Sequence, residues 1–260
     1  MRFNVVIPAR YGSTRLPGKP LQPIGNSPLI HHVVQRARES RAEQVLVATD
    51  DERIAECVAQ CGAVPVMTAP DHASGTDRIA EVAAREGWDE DTIVVNLQGD
   101  EPFMPGDLVR RVAEDLGRHA GAAASTLCAP VADATELMDQ NAVKVVIDRQ
   151  GYAMYFSRAP IPWDRDGFPL PREATVTAGL YRRHIGLYAY RVGFLHRYVQ
   201  WPSCTLESVE KLEQLRILWQ GERIHVCATD EDPGFGIDTQ EDLQRAQQHI
   251  AAMQGCENAR

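Results

Sequence analysis

The chain has no apolar run that approaches the ~18 residues of a membrane-spanning helix. It has no surplus of positive charge either: 27 Lys and Arg stand against 36 Asp and Glu, a net charge of -9. That balance argues against a nucleic-acid-coating protein, which needs an extended positive surface. Six cysteines are present, but none forms a C-x-x-C pair and no His/Cys cluster has zinc spacing. Cys57 and Cys61, four apart on an expected helix, read as two small buried hydrophobes. There are no internal repeats and no low-complexity segments. The N-terminus enters a strand at once, and a soluble protein of a reducing cytoplasm, away from membranes and nucleic acid, is expected. With 260 residues the chain is long for one domain and short for two. One domain with an elaboration follows, burying roughly 70–75% of its unfolded surface without a disulfide or metal staple.

What is present is an alternation. "FNVVIP" (Phe3–Pro8), "VLVATD" (Val45–Asp50), "VPVMT" (Val64–Thr68) and "TIVVNLQGD" (Thr92–Asp100) are short apolar runs of strand type. Between them lie helical patterns. Leu29, Ile30, Val33, Val34 and Ala37 share one face behind Ser27-Pro28, which reads as an N-cap and a first-turn proline. Ile54, Cys57, Val58 and Cys61 mark a second helix, and Ile79, Val82 and Ala83 a third. Strands alternating with helices predict a mostly parallel, doubly wound α/β sheet, whose ligands bind beyond the carboxyl ends of the strands. After Asp133 the pattern changes. "AVKVVID" (Ala142–Asp148) and "GYAMYFSRA" (Gly151–Ala159) read as consecutive strands that can form a hairpin. Pro160–Arg183 is a loop-rich stretch, followed by "HIGLYAYR", two helices including "LESVEKLEQLR" (Leu206–Arg216), a late strand "RIHVCA" and a closing helix. The expected division is residues 1–132, 133–221 and 222–260 within one α/β domain.

One end of this acidic chain is locally basic. "VVIPARYGSTRLPGKPL" places Arg10, Arg15 and Lys19 four to five residues apart, directly after the first strand. It is not a Walker A loop, because Pro20 follows the lysine, supplies no N–H and biases Lys19 away from helix. A strand-end loop with Gly12, Gly18 and three cations can nevertheless wrap a triphosphate; a solvated basic turn is the alternative. Asp100 follows a central strand, where a carboxylate suits a hard cation such as Mg²⁺ and also suits a turn before Pro102. Asp238, three residues before Glu241, fits a capping box, a role compatible with holding a metal. "SGTDR" resembles a helix start capped by Ser74 or Thr76, with N–H groups open to a base or phosphate. Glu207 and Glu210 share a helix face with Gln214 a turn on, which taken alone is a solvated charged face. His31 and His32 lie on a helix flank without a ligand role, and His184 is ambiguous without a partner.

Taken in order, "IPARYGSTRLPGKPL", "ATDDERIAE", "HASGTDR", "VNLQGDEP", "NAVKVV", "YFSRAPIPW", "RHIGLYAYR", "LESVEKLEQLR" and "GIDTQEDL" resemble the 3-deoxy-manno-octulosonate cytidylyltransferase family, the CMP-Kdo synthetases, from about Phe3 to Leu243. The resemblance implies a nucleotide-diphospho-sugar transferase-like fold, with residues 1–132 mainly for CTP, 133–221 mainly for sugar and dimerisation, and the remainder returning to the main sheet with a metal ligand. It implies a cytoplasmic homodimer that converts CTP and the acid sugar Kdo to CMP-Kdo and pyrophosphate with Mg²⁺, for lipopolysaccharide. By position, Arg10, Arg15, Lys19 and Asp100 would be catalytic. Asp100 and Asp238 would hold the metal. Ala9, Arg10, Ser74, Gly75 and Gln98 would surround the nucleotide. Gln98, Arg158, His184, Tyr188, Glu207 and Glu210 would line the sugar pocket. Two rival readings are a cytidylyltransferase for sialic or related nonulosonic acids, disfavoured by "RLPGKPL", and a non-catalytic nucleotide-binding regulator, disfavoured by the presence of both metal acids. Phe168–Tyr181 matches no motif and is expected at most to contact a second subunit.

Overall fold

A computed structural model describes residues 1–13, 15–72, 74–168, 176–177 and 179–257, the last five as backbone. The chain forms two compact units, Met1–Arg111 with Pro233–Arg260, and Val112–Asp232.

The first unit begins with β1 (Asn4–Ala9), whose Val5, Val6 and Ile7 are fully buried. A short 3₁₀ turn covers Lys19–Leu21, and two-residue strands β2 (Pro23–Ile24) and β3 (Ser27–Pro28) pair with each other. Ser27-Pro28 therefore does not form the expected helix cap. Helix α1 (Leu29–Glu39) starts behind Pro28 without a side-chain cap, and its five predicted apolar residues are all buried. Next come β4 (Gln44–Thr49), α2 (Glu52–Ala59), β5 (Val64–Met67), α3 (Gly75–Glu86), β6 (Ile93–Asn96) and the start of α4 (Gly106–Arg118), whose residues from Val112 on belong to the second unit. β6, β1, β4 and β5 lie side by side, all parallel, with Val5 opposite both Val45 and Val95. This is the predicted parallel core, and its carboxyl ends carry Ala9, Asp50 and Gln98. Cys57 and Cys61 depart from their expected burial: both are half-buried, and Cys61 lies past the end of α2.

The second unit is mixed. It contains β7 (Ala124–Pro130), α5 (Ala134–Met138), β8 (Lys144–Ile147), β9 (Ala153–Ser157), β10 (Arg182–Arg191), α6 (Val192–Tyr198), α7 (Thr205–Glu210), α8 (Gln214–Trp219) and β11 (Ile224–Ala228). β10 runs antiparallel to β7 and β8, β11 parallel to β7, and β8–β9 is the anticipated antiparallel hairpin. The single helix expected over Leu206–Arg216 is two helices, because Lys211 turns left-handed at φ 55° and ends α7. Of the stretch Phe168–Tyr181, residues 169–175 and 178 lie outside the described residues; Phe168, Val176 and Tyr181 pack with Val131 and Leu137. Helix α9 (Gln240–Glu257) closes the first unit. No helix among the described residues is long and apolar enough to cross a membrane.

Candidate active site

The basic loop leaves β1 and doubles back on itself. The carbonyl of Tyr11 accepts from the N–H of Ser13 (3.0 Å) and of Gly18 (3.2 Å), while Arg53 lies 3.5 Å over the Tyr11 ring. Gly18 sits at φ 63°, and a Cβ there would meet the Tyr11 ring at 3.2 Å, so glycine lets the chain turn tightly into the 3₁₀ segment. That turn delivers Lys19 to two acids. Its Nζ donates to Asp100 Oδ2 at 2.7 Å and to Asp238 Oδ1 at 2.9 Å, and Arg15 Nη2 lies 3.1 Å from Asp238 Oδ2. Burial pulls the Lys19 ammonium toward lower pKa, but the two carboxylates outweigh it and hold it above the ordinary lysine value.

Two local features bring the acids together. A Cβ on Gly99 would lie 2.7 Å from the Pro8 carbonyl, so only glycine lets Gln98–Asp100 press onto the end of β1. The N–H of Ile237 donates to the Asp100 carbonyl at 2.9 Å, which seats Asp238 beside Asp100. The capping box expected of Asp238 and Glu241 forms one residue later. Thr239 Oγ1 accepts from the Asp242 N–H (3.2 Å), and Asp242 Oδ2 accepts from the N–H of Thr239 (3.0 Å) and Asp238 (3.1 Å). Asp238 is thereby released from capping, and its carboxylate serves the cations. Two convergent carboxylates that already hold one cation fit a hard divalent ion such as Mg²⁺.

At the same strand ends, Ser74 caps α3 in a full capping box with Asp77. A Cβ on Gly75 would stand 3.3 Å from the Pro8 ring and 4.0 Å from Gln98 Oε1, which gathers Gly75, Gln98 and the Pro8–Ala9 end of β1. Gln98 Nε2 donates to Asn96 Oδ1 at 3.2 Å. Buried Arg78, which sequence reading passed over, ties this helix start to Thr68 and to Asp50, 3.1 Å away. Arg10 is exposed and forms no ion pair with a described residue.

Of the predicted sugar residues, Gln98 lies in the first unit; Arg158, His184, Tyr188, Glu207 and Glu210 lie in the second. Glu210 accepts from Ser157 Oγ (2.7 Å) and the Arg158 N–H (3.0 Å), and Arg158 Nε returns a bond to the Glu210 carbonyl (2.7 Å). His184 Nε2 is 3.0 Å from Thr126 Oγ1, and the His184 and Tyr188 ring centroids are 5.4 Å apart. Burial, with Arg183 adding to it, pushes the His184 pKa down to about 3, so the ring is neutral. Burial pushes the pKa of the Tyr188 hydroxyl well above the ordinary value, and Thr126 beside it pulls the other way. Glu207 differs from its solvated-face alternative: it is buried, with Arg216 Nε at 2.8 Å and Nη2 at 2.5 Å, and it completes the capping box of α7.

Asp115, His119 and His225 also meet in this unit, from positions up to 110 residues apart. Their two imidazoles stack at 3.5 Å and 15°. Stacked rings point their in-plane lone pairs along parallel planes rather than at one ion, so the arrangement is a packing network.

Comparison with known proteins gives one answer. The cytidylyltransferase family model matches residues 4–224. A curated 3-deoxy-manno-octulosonate cytidylyltransferase of Idiomarina loihiensis is 54% identical over 95% of this chain and 97% of its own length. One of Aeromonas hydrophila is 54% identical over 96% of this chain and 100% of its own. Among solved structures, a CMP:2-keto-3-deoxy-manno-octonic acid synthetase complexed with CTP superposes with a TM-score of 0.87 at 38% identity, covering 97% of this chain and 100% of that one. A Leptospira borgpetersenii cytidylyltransferase at 16% identity and TM-score 0.63 shares the fold, with 97% of this chain and 87% of that one covered.

Proposed function

The chain belongs to the cytidylyltransferase family, among the 3-deoxy-manno-octulosonate cytidylyltransferases, and from that premise we propose how its residues divide the work. The protein transfers the cytidylyl group of CTP to Kdo. The anomeric hydroxyl oxygen of Kdo bonds to the α-phosphorus, the bond from that phosphorus to the bridging oxygen breaks, pyrophosphate leaves, and the hydroxyl proton passes to solvent.

The observation that carries the assignment is one ammonium, Lys19, held between carboxylates from two separate loops. CTP brings about four negative charges, which Arg10, Arg15 and Lys19 neutralise. Lys19 stabilises the charge that builds on the leaving pyrophosphate. Asp100 and Asp238 would hold Mg²⁺, which when bound supplies a Lewis acid and lowers the pKa of the attacking hydroxyl. Ser74, Gly75, Gln98 and Ala9 receive the nucleotide at the start of α3, where main-chain N–H groups favour acceptors. Arg158 takes the Kdo carboxylate, with His184, Tyr188, Glu207 and Glu210 reading hydroxyls. Glu207 and Glu210 retain acceptor capacity, since a carboxylate offers about four lone-pair sites.

A homodimer is part of the proposal, supported by Met154 and Trp163 standing 63% and 65% exposed in the second unit. A cytoplasmic site of action follows from CTP as substrate, and supply of Kdo to lipopolysaccharide from the product. The test is pyrophosphate release from CTP and Mg²⁺ across a panel of acid sugars. Turnover with Kdo and little with a sialic acid is expected; the reverse preference overturns the assignment.

A further inference from the structure

We propose that Lys144 is a positioning residue for the acid-sugar site: its buried ammonium fixes the main chain at Asp139–Gln140, and the Gln140 carbonyl in turn aims the Arg158 guanidinium. The inference rests on the reading of Arg158 as the carboxylate-binding group.

Lys144 opens β8, which is flanked on one side by β9 and on the other by β10; Lys144 pairs with Ser157 on the first and with Arg183 on the second. Its side chain is fully buried. Lysines are almost never fully buried unless paired with an acid. Here Nζ donates instead to a neutral acceptor, the carbonyl of Asp139, at 2.8 Å. Burial pulls the pKa of this ammonium below the ordinary lysine value, against the opposing pull of the Asp139 and Glu210 carboxylates. A methionine of similar length would fill the space without that desolvation cost. The ammonium is therefore to be explained by what it holds.

It holds the residue next to the one that orients Arg158. Arg158 Nη1 donates to the Gln140 carbonyl at 2.9 Å, and Nε donates to the Glu210 carbonyl at 2.7 Å. Both acceptors are main-chain oxygens. They fix the plane of the guanidinium without neutralising its charge, as a side chain that must meet an incoming carboxylate requires. Each acceptor is anchored from behind. The Glu210 side chain clamps Ser157 Oγ and the Arg158 N–H, and Lys144 clamps Asp139. Releasing one anchor lets Arg158 tilt, and a shift of about 1 Å in a positioned group costs up to about 10² in the step that it serves.

The experiment compares Lys144→Met, Arg158→Ala and the double variant by steady-state kinetics on the full-length protein, with folding checked by circular dichroism. Lys144→Met is expected to raise KM for Kdo about tenfold and leave KM for CTP within about twofold. In the Arg158→Ala background the same change is expected to add nothing, because a residue that acts through Arg158 is silent once Arg158 is gone. Equal rises in both KM values, an unchanged KM for Kdo, or a full additional effect in the double variant overturn the inference. If Arg158→Ala itself leaves KM for Kdo unchanged, the carboxylate reading of Arg158 falls first and the role of Lys144 with it. Should Lys144→Met fail to fold, the same comparison is read on Lys144→Gln, which keeps a donor but neither the charge nor the reach.

Discussion

Lys19 has two acids against it and little water around it, its side chain being 15% exposed. Its pKa is raised on folding, so the contact stabilises the protein fully below the ordinary lysine value of 10.5 and is lost as pH rises through the folded value above it. At neutral pH the charge is therefore constant, and the proposed mechanism gives that charge a catalytic role. Lys19→Ala should lower kcat by roughly 10²–10³, about 2.7–4 kcal/mol, with a much smaller change in CTP binding. Rapid-quench turnover set beside calorimetric CTP titration checks this; normal turnover would leave Lys19 a structural ion pair with no catalytic role. His184 has the opposite sign. Its folded pKa, about 3, lies below the usual imidazole value of 6.5. Unfolding then takes up a proton between those two values, and stability declines as pH falls through that window. His184→Gln should flatten the decline, measured as melting temperature against pH. A wild-type curve that is flat from pH 6.5 to 4 would show that the ring is not held neutral.

At the scale of elements, the cap of α9 separates two effects that sequence spacing had merged. Thr239 and Asp242 form the box, while Asp238 faces Lys19 and Arg15. Thr239→Ala should cost about 0.5–2 kcal/mol of stability. Asp238→Asn should leave helicity and melting intact while activity falls, and urea denaturation of both variants beside their turnover distinguishes the two. The break between α7 and α8 has a comparable consequence. It places Glu207 against Arg216 as a buried pair and leaves Glu210 to Ser157 and Arg158. Arg216→Met strands a buried carboxylate and should cost about 3–5 kcal/mol. Glu210→Ala should act mainly through KM for Kdo, and equal losses for both substrates would make it a structural residue. None of this division could be read from "LESVEKLEQLR", whose helical periodicity continues smoothly across Lys211. The left-handed turn there is a backbone state that a lysine does not announce.

For the whole molecule, the parallel strands of the first unit were readable because each is a short apolar run between helices of 3.6 periodicity. The convergence of Lys19, Asp100 and Asp238 was only partly readable. Strand ends share one edge of a parallel sheet, which places the first two; Asp238 arrives through a main-chain bond to the Asp100 carbonyl, which no side-chain pattern encodes. The same limit hid Lys144 and Arg78, buried cations whose partners include main-chain or distant groups. Sequence shows charge types and spacing, whereas burial of a charge depends on elements brought in from far along the chain.

The central claim is that the acids around Lys19 serve cytidylyl transfer to Kdo. The most direct test is the initial rate of pyrophosphate release from CTP and Kdo at varied Mg²⁺, wild type against Asp100→Asn, with folding verified in both. The account predicts Mg²⁺-dependent release by the wild type and collapse of that rate in a folded variant. Wild-type turnover by Asp100→Asn with unchanged Mg²⁺ dependence would contradict it.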